Sequence, residues 1–421
     1  MSRARTNFQV AALYTSTSPA TGTMFSYGAT GVPSTVFAEV TGYLGNTGIN
    51  AAQFQGAVST GIYQLYRIQS AGYDYSLSRT PVTQFGQLAA IDQIILNSPT
   101  ASLSFNYILS NFYNENKLGL VTDNSANALS GILNKTQDEK NYFLLTDPEG
   151  TDAVGNATSN NNVFVMGIGN GYVTSYTTQG SVGNFPTVSV NVEGLNMNFG
   201  ATRSGLTPAV NPVNGRAWTA SNTNGTFPFR YTLPIAQQDA GTGNLAISAL
   251  RPGDVTVTLL KRDAEGEGDL VNATGVFDLP GATITDAKIQ SYNIGFDLSR
   301  ETISQLGSRF AISREANFPV NINVSVDAIV GDLTTGNLAD LVNCDDSYDI
   351  TVKLNKPNSC SDFSNVTVAQ YNVRNAKLNR ISYNDSIGAN RSVSLSFVSQ
   401  LGGPNATTQG LYMSGLVNTQ F

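Results

Sequence analysis

The phrase IQSAGYDYSLSRTPVTQFG, Ile68 to Gly86, returns 221 residues later as IQSYNIGFDLSRETISQLG, Ile289 to Gly307. Aligned without a gap, eight of the nineteen positions are identical: Ile68/Ile289, Gln69/Gln290, Ser70/Ser291, Leu77/Leu298, Ser78/Ser299, Arg79/Arg300, Gln84/Gln305 and Gly86/Gly307. Other positions keep their shape, as in Tyr73/Ile294, Tyr75/Phe296, Val82/Ile303 and Phe85/Leu306. The repeat recurs at about half the length of a 421-residue chain, so whatever one half builds the other must also be able to build.

The echo continues downstream. Asn97–Pro99 (NSP) meets Asn317–Pro319 (NFP), and each opens an alternating polar and apolar stretch. SVGNFPTVSVNV, Ser181 to Val192, meets SIGANRSVSLSF, Ser386 to Phe397, at an offset of 205 residues. The first half therefore carries about 16 extra residues, which fit the Asp/Gly/Asn-rich run Thr146–Asn162, read as a long surface loop. Two tandem copies of one domain follow: residues 1–200 with a core at 62–200, and residues 236–421 with a core at 285–421. Residues 201–235 are the expected linker or inserted segment, with the join inside Gly200–Gly225. The first sixty residues show no counterpart.

The repeated segments alternate with period two, which makes a strand with one buried and one wet face. Tyr73, Tyr75 and Leu77 alternate with Asp74, Ser76 and Ser78; Ile294, Phe296 and Leu298 alternate with Gly295, Asp297 and Ser299. Downstream, Val188, Val190 and Val192 oppose Ser189, Asn191 and Glu193, and Val393, Leu395 and Phe397 oppose Ser392, Ser394 and Ser396. A slip of one residue would invert every side chain, so the phase is strongly specified. Helical spacing is confined to Asn124–Asn141, with Asn124 or Ser125 as cap, and Thr334–Asn343. The expected fold is mainly β with few short helices: two antiparallel β-sandwich or partial-barrel domains, each with one short helix on the apolar face of its sheet.

Composition sharpens this. Charged residues make up 13% of the chain, well below the usual quarter, and Ser, Thr, Asn, Gln and Gly take their place. The net charge is −7 without a Lys/Arg block, so there is no footprint for gripping a phosphate backbone. The start of the chain lacks the long apolar run of a secretory leader, from which synthesis and assembly in the cytoplasm is expected. Cys344 and Cys360 both fall in the second half, and reduced thiols are favoured over a bridge there.

With no histidine in the chain, Ser-His-Asp and Cys-His activation and every histidine metal site are excluded. Gly167–Val173 (GIGNGYV) matches neither glycine-rich phosphate-loop spacing and is read as a glycine-bearing turn or bulge before a strand. Asp263–Leu270 (DAEGEGDL) lacks the later acid of a calcium loop and is read as a solvated hairpin tip; Asp345 and Asp346 are read as part of a turn. Paired carboxylates for glycoside hydrolysis are scattered. No enzyme activity, catalytic residue, cofactor or metal is expected. Arg79 and Arg300, each closing its strand after Leu-Ser, are candidates for a joint between domains or subunits, against the plainer reading of a strand-end side chain.

A strand ending in LSR with Gln-x-Gly beyond it, a Pro-led strand, a short helix and a final S-[VI]-G with an alternating strand together resemble tail tube proteins of tailed bacteriophages. The duplicated form is similar to tubes whose rings are trimers of a two-domain chain. The resemblance spans Ile68–Phe199 and Ile289–Phe397; residues 1–60 and 200–285 have no counterpart in it. It implies a virion structural protein of the tail, the major tube subunit, in stacked rings that conduct double-stranded DNA without sequence-specific binding. Its implied partners are itself and other tail proteins such as sheath, tape measure and tail terminator. Four strands per copy in six copies would close a barrel about 45–50 Å across the backbone. Asp74, Ser76, Ser78, Ser189, Asn191, Glu193, Asp297, Ser299, Ser394 and Ser396 are the expected lining, with few cations. An initiator or terminator ring of the same fold, and a capsid decoration or host-binding β protein, stay open as alternatives.

Overall fold

The computed structural model describes residues 11–16, 61–135, 137–147, 154, 163–212, 215–216, 219–222, 225–228, 231–237, 250–262, 277–279, 282–285, 288–330, 332–336, 346–356, 367–387 and 390–417. The Asp263–Leu270 run, Cys344, Asp345, Cys360, most of the loop after Asp147 and residues 337–343 of the second expected helix lie outside them.

The first half runs β1 (Ala11–Ser16), β2 (Ile62–Leu65), β3 (Ile68–Ser76), β4 (Arg79–Val82), β5 (Asp92–Ile95), β6 (Thr100–Ile108), α1 (Tyr113–Leu118), α2 (Ser130–Leu133), β7 (Glu139–Thr146), β8 (Phe164–Ser181), β9 (Thr187–Gly194) and β10 (Asn196–Gly200). Short strands β11 (Ser204–Leu206), β12 (Thr219–Asn222), β13 (Gly225–Pro228) and β14 (Tyr231–Thr232) follow. The second half runs β15 (Val255–Arg262), β16 (Phe277–Leu279), β17 (Ala282–Thr285), β18 (Lys288–Asp297), β19 (Arg300–Ile303), β20 (Ser313–Ala316), β21 (Val320–Ile329), β22 (Asp332–Gly336), β23 (Ser347–Asn355), β24 (Thr367–Asn384), β25 (Ser392–Leu401) and β26 (Gly410–Gly415). The chain is mainly β, and fifteen of its strands form one antiparallel sheet.

The two halves pair their strands alike. β1 pairs β7 and β7 pairs β8, as β15 pairs β23 and β23 pairs β24. β8–β9, β9–β6 and β6–β3 correspond to β24–β25, β25–β21 and β21–β18. The register agrees as well: Tyr73 stands opposite Leu103 as Ile294 stands opposite Val324, and Tyr176 opposite Val190 as Ile381 opposite Leu395. Even the bulges coincide, between Ile68 and Ser70 and between Ile289 and Ser291, then between Val173 and Ser175 and between Leu378 and Arg380. The β1/β15 correspondence reaches into the first sixty residues, where the sequence showed none.

Two repeated backbone features explain particular residues. Gly86 and Gly307 both sit at φ +87° in the turns of the β4–β5 and β19–β20 hairpins, a conformation only glycine adopts without strain, which accounts for their identity. Asn170 and Asn375 take φ of 53° and 54° midway along the two 18-residue strands β8 and β24. Asparagine tolerates the left-handed region better than other side chains, and each backbone N–H here donates to a side chain of the preceding strand, Asn141 Oδ1 at 3.1 Å and Asp349 Oδ1 at 2.9 Å. The GIGNGYV stretch thus lies inside β8 rather than before a strand; its left-handed Asn170 kinks that strand.

The helix expectations need correction. α2 is a single turn at the right place, but neither Asn124 nor Ser125 caps it; Asn127 Oδ1 accepts from the Leu129 N–H instead. α1 escaped notice because its six residues are too few to show a period; Gly119, at φ +102°, ends it by returning its N–H to Asn116 and Glu115. In the second half Thr334–Gly336 belong to β22, paired with β17 in a small sheet, so a helix does not start at Thr334.

The segment expected as a linker folds against the first half. Leu206, Leu233 and Ala236 share a core with Tyr14, Phe143 and Val165. Pro208 crosses so close to Gly169 that a Cβ there would sit 2.1 Å from the Pro208 carbonyl oxygen. Arg374 holds the corresponding place in β24. The main core is continuous through both halves, from Leu103, Phe105 and Val190 to Ile294, Val324 and Phe397.

Candidate functional site: the joint between the halves and its polar face

β18 joins the far half of β8 in antiparallel register, Ser291 opposite Ser181 through Asp297 opposite Ser175. The ladder continues beyond the strand ends, with Val182 N–H donating to Gln290 O and Leu298 N–H to Thr174 O. Eight strands therefore run side by side in the order β3-β6-β9-β8-β18-β21-β25-β24.

On the apolar side of the joint Tyr176 stacks on Phe296 with ring centroids 5.5 Å apart, and Phe112 meets Tyr371 edge-on at 5.0 Å. Glu115 is enclosed here. Its Oε1 accepts from Tyr107 at 2.7 Å and Tyr176 at 3.1 Å, and the Tyr176 and Tyr371 hydroxyls lie 2.8 Å apart. Burial pushes the Glu115 carboxyl up to about 7, and the tyrosine hydrogen bonds pull it back only in part. Burial also lifts the hydroxyls of Tyr107, Tyr176 and Tyr371 well above the usual range. Sequence reasoning missed this cluster because its members come from three separate strands and α1.

Arg300, at the start of β19, reaches back into the first half. Its Nη2 lies 2.6 Å from Asp138 Oδ1 and 3.2 Å from the Val173 carbonyl oxygen, and its guanidinium lies over the Tyr172 ring. Burial raises the Asp138 carboxyl above the usual range, and Arg300 offsets this only partly. That is the electrostatics of a pair costly to dehydrate and more costly to break. Arg314 pairs with Glu193 at 2.6 Å and Lys135 with Glu315 at 2.6 Å. Asp138 carried no signal in the sequence, since its partner lies 162 residues away. Arg79 does not bridge the halves. It is exposed, and its Nη1 donates to the Gln93 carbonyl at 3.4 Å, as Arg300 Nη1 donates to the Arg314 carbonyl at 3.1 Å.

The other face of the eight strands is polar, and the register brings the expected lining residues into rows. Asp74, Ser102 and Glu193 are cross-strand neighbours. Ser104, Asn191, Ser175 and Asp297 follow in the next row, where Asn191 Nδ2 donates to Ser175 Oγ at 2.7 Å. Ser189 stands between Asn106 and Thr177. In the second half Ser394 lies between Asp327 and Ser382, and Ser396 between Ser325 and Arg380. Ser76 ends β3 opposite Thr100; Ser78 and Ser299 lie just past β3 and β18, in the passage to the hairpins. Two cations and one ion pair accompany these residues. Lys377 and Arg380 stand on this face of β24, and Glu193 is paired with Arg314.

No family model matches the chain, and no curated protein matches it. Among solved structures, a chain of the anti-feeding prophage baseplate, in its six-fold symmetrised form, is similar over 38% of this chain and 92% of its own length, at 13% identity and a TM-score of 0.24.

Proposed function

We propose that the chain is a structural protein of a virion tail, the repeating subunit of a tube whose rings contain three chains. The observation that supports this is the eight-stranded unit made by two like halves: it is polar on one face, packed on the other, and continuous across the joint between halves. Repeated three times around an axis, eight strands become 24, each half occupying one of six near-equivalent places. Closure of such a sheet removes its open edges, which are otherwise a hazard for aggregation. In this reading the polar face lines the bore. Asp74, Asp297 and Asp327 discourage contact with phosphates there, while Lys377 and Arg380 moderate the repulsion near one edge of the unit. The chain acts as a conduit and carries out no reaction. Its partners are further copies of itself, neighbouring tail proteins and passing double-stranded DNA.

Electron microscopy of virions and of the purified protein tests this. Stacked rings with three-fold symmetry and many copies per tail are expected. One ring per virion would assign the chain to an initiator or terminator of the tube, and its presence on the capsid would overturn the tail reading.

A further inference from the structure

The joint inside the chain is half of a repeating pattern, and the open edges of the eight-stranded unit match it. β18 is covered on one side by β21 and on the other by β8. Its counterpart β3 pairs only with β6, and the far half of β24, the counterpart of the far half of β8, pairs only with β25 among the described residues. Burial shows what is missing. Ile294, Phe296 and Leu298 are 0%, 1% and 3% exposed, whereas Tyr73, Tyr75 and Leu77 are 44%, 62% and 44% exposed. Across the sheet Tyr383 is also exposed, at 43%, where its counterpart Thr178 is enclosed by β18.

We infer that β3 of one protomer docks on the far half of β24 of a second copy of this chain, in the register of the joint within the chain. The inference rests on the ring reading above and gives it residue partners. The internal register transfers as Ser70 opposite Ser386, Tyr73 opposite Tyr383, Tyr75 opposite Ile381 and Ser76 opposite Arg380. The Leu77 N–H then donates to the Asn379 carbonyl, as Leu298 does to Thr174 within the chain. Asp346 stands one residue before β23 as Asp138 stands one residue before β7, and β23 meets β24 as β7 meets β8. Arg79 therefore pairs with Asp346 of the second copy, in the manner of Arg300 with Asp138.

The other two ion pairs do not carry over. Gln93 and Val398 replace Arg314 and Glu193, and Ile94 replaces Glu315. Ile381 also takes the place of Tyr176, so the tyrosines around Glu115 have no full counterpart. The joint between protomers is thus less polar than the one within the chain, and Arg79–Asp346 is the one ion pair of the three that it retains.

Two experiments test this. First, Tyr75→Cys and Ile381→Cys are introduced together with Cys344→Ser and Cys360→Ser. Directly opposed strand residues bring their Cβ atoms within about 4.5–5.5 Å, so oxidation is expected to give covalent dimers and trimers on a non-reducing gel. Tyr75→Cys with Tyr383→Cys, two residues out of register, is expected to give far fewer. Second, Arg79→Asp or Asp346→Arg alone is expected to reduce assembly at least about tenfold, with the double exchange restoring most of it. Equal crosslinking by both cysteine pairs, or no rescue by the exchange, would overturn the inference. If the crosslinked protein forms closed rings that never stack, the joint stands and the tube reading fails. If tubes form without the crosslink, the tube reading stands and the joint fails.

Discussion

β3 and β18 are the same strand written twice, and they differ in what lies beside them. Each has its inner edge paired in the same register, to β6 or to β21. Among the described residues only β18 has a neighbour on its outer edge, and its three apolar positions are core where those of β3 are half-exposed. Side-chain chemistry does not account for the difference: Leu77 and Leu298 are identical, and Tyr75 and Phe296 differ by a hydroxyl. An amphipathic strand specifies which face is buried, and the neighbouring chain decides how far. A strand pattern that looks half-satisfied in an isolated chain is therefore informative about assembly.

The sharpest way to break this comparison is to cut the same side chain from both strands. Phe296→Ala removes a fully buried ring and is expected to cost about 3–5 kcal/mol of stability, while Tyr75→Ala is expected to stay within about 0.5 kcal/mol in the unassembled protein. Guanidinium unfolding of the two variants measures both. A large loss in Tyr75→Ala would mean that β3 is already covered in the free chain. The arginines should divide likewise. Arg300→Ala strips the Asp138 carboxylate of its paired guanidinium, leaving only the more distant Lys135, and is expected to cost about 3–5 kcal/mol, whereas Arg79→Ala should leave the melting temperature of the free chain nearly unchanged.

Glu115 gives a dependence on pH. Its folded pKa is raised to about 7, above the unfolded value of about 4.3, so its contribution favours folding below pH 4 and is lost as pH rises towards and through 7. Relative to Glu115→Gln, the native protein is expected to lose on the order of 3 kcal/mol between pH 4 and pH 8. Parallel stability curves across that range would show that Glu115 stays ionised. At the kinked strands, Asn170→Ala and Asn375→Ala each force alanine into the left-handed region, at about 1–2 kcal/mol. Asn170→Ala is expected to cost more, because Asn170 also bonds Glu139 at 2.6 Å and the Val210 N–H at 2.8 Å. The smallest effect on stability is expected from Asp74→Lys with Asp297→Lys, within about 0.5 kcal/mol each. These substitutions should leave tubes intact and slow DNA ejection, read by release assays on assembled particles.

Much of this architecture was legible in the sequence. Period two fixed the faces of β3, β9, β18 and β25, and the repeated phrase implied that the halves share a fold. What was not legible has physical reasons. β1 and β15 correspond in their pairing to β7 and β23 but share almost no residues, AALYTS against VTVTLLKR, since a strand ladder is made by backbone groups that any such sequence supplies. Asp138, the partner of Arg300, lies in the other half of the chain, 162 residues away, so no local pattern marks it. Thr334–Gly336 pair with β17, while Leu338, Leu341 and Val342, which carry the helical spacing, lie outside the described residues. Lys377 and Arg380 went unread because the phase of β24 is set by its left-handed Asn375 and the bulge at Leu378, neither of which simple alternation reveals.

The most direct test of the central claim is hydrogen exchange on the amides of β3 and β18, measured in the free and the assembled protein. In the free protein β18 should be protected and the outer-edge amides of β3 should exchange rapidly. On assembly, protection of Ser70–Ser76 should rise to the level of Ser291–Asp297, together with that of Arg380–Asn384. If assembled particles form while β3 continues to exchange as it does in the free chain, the two strands are not equivalent and the ring is not closed through this edge.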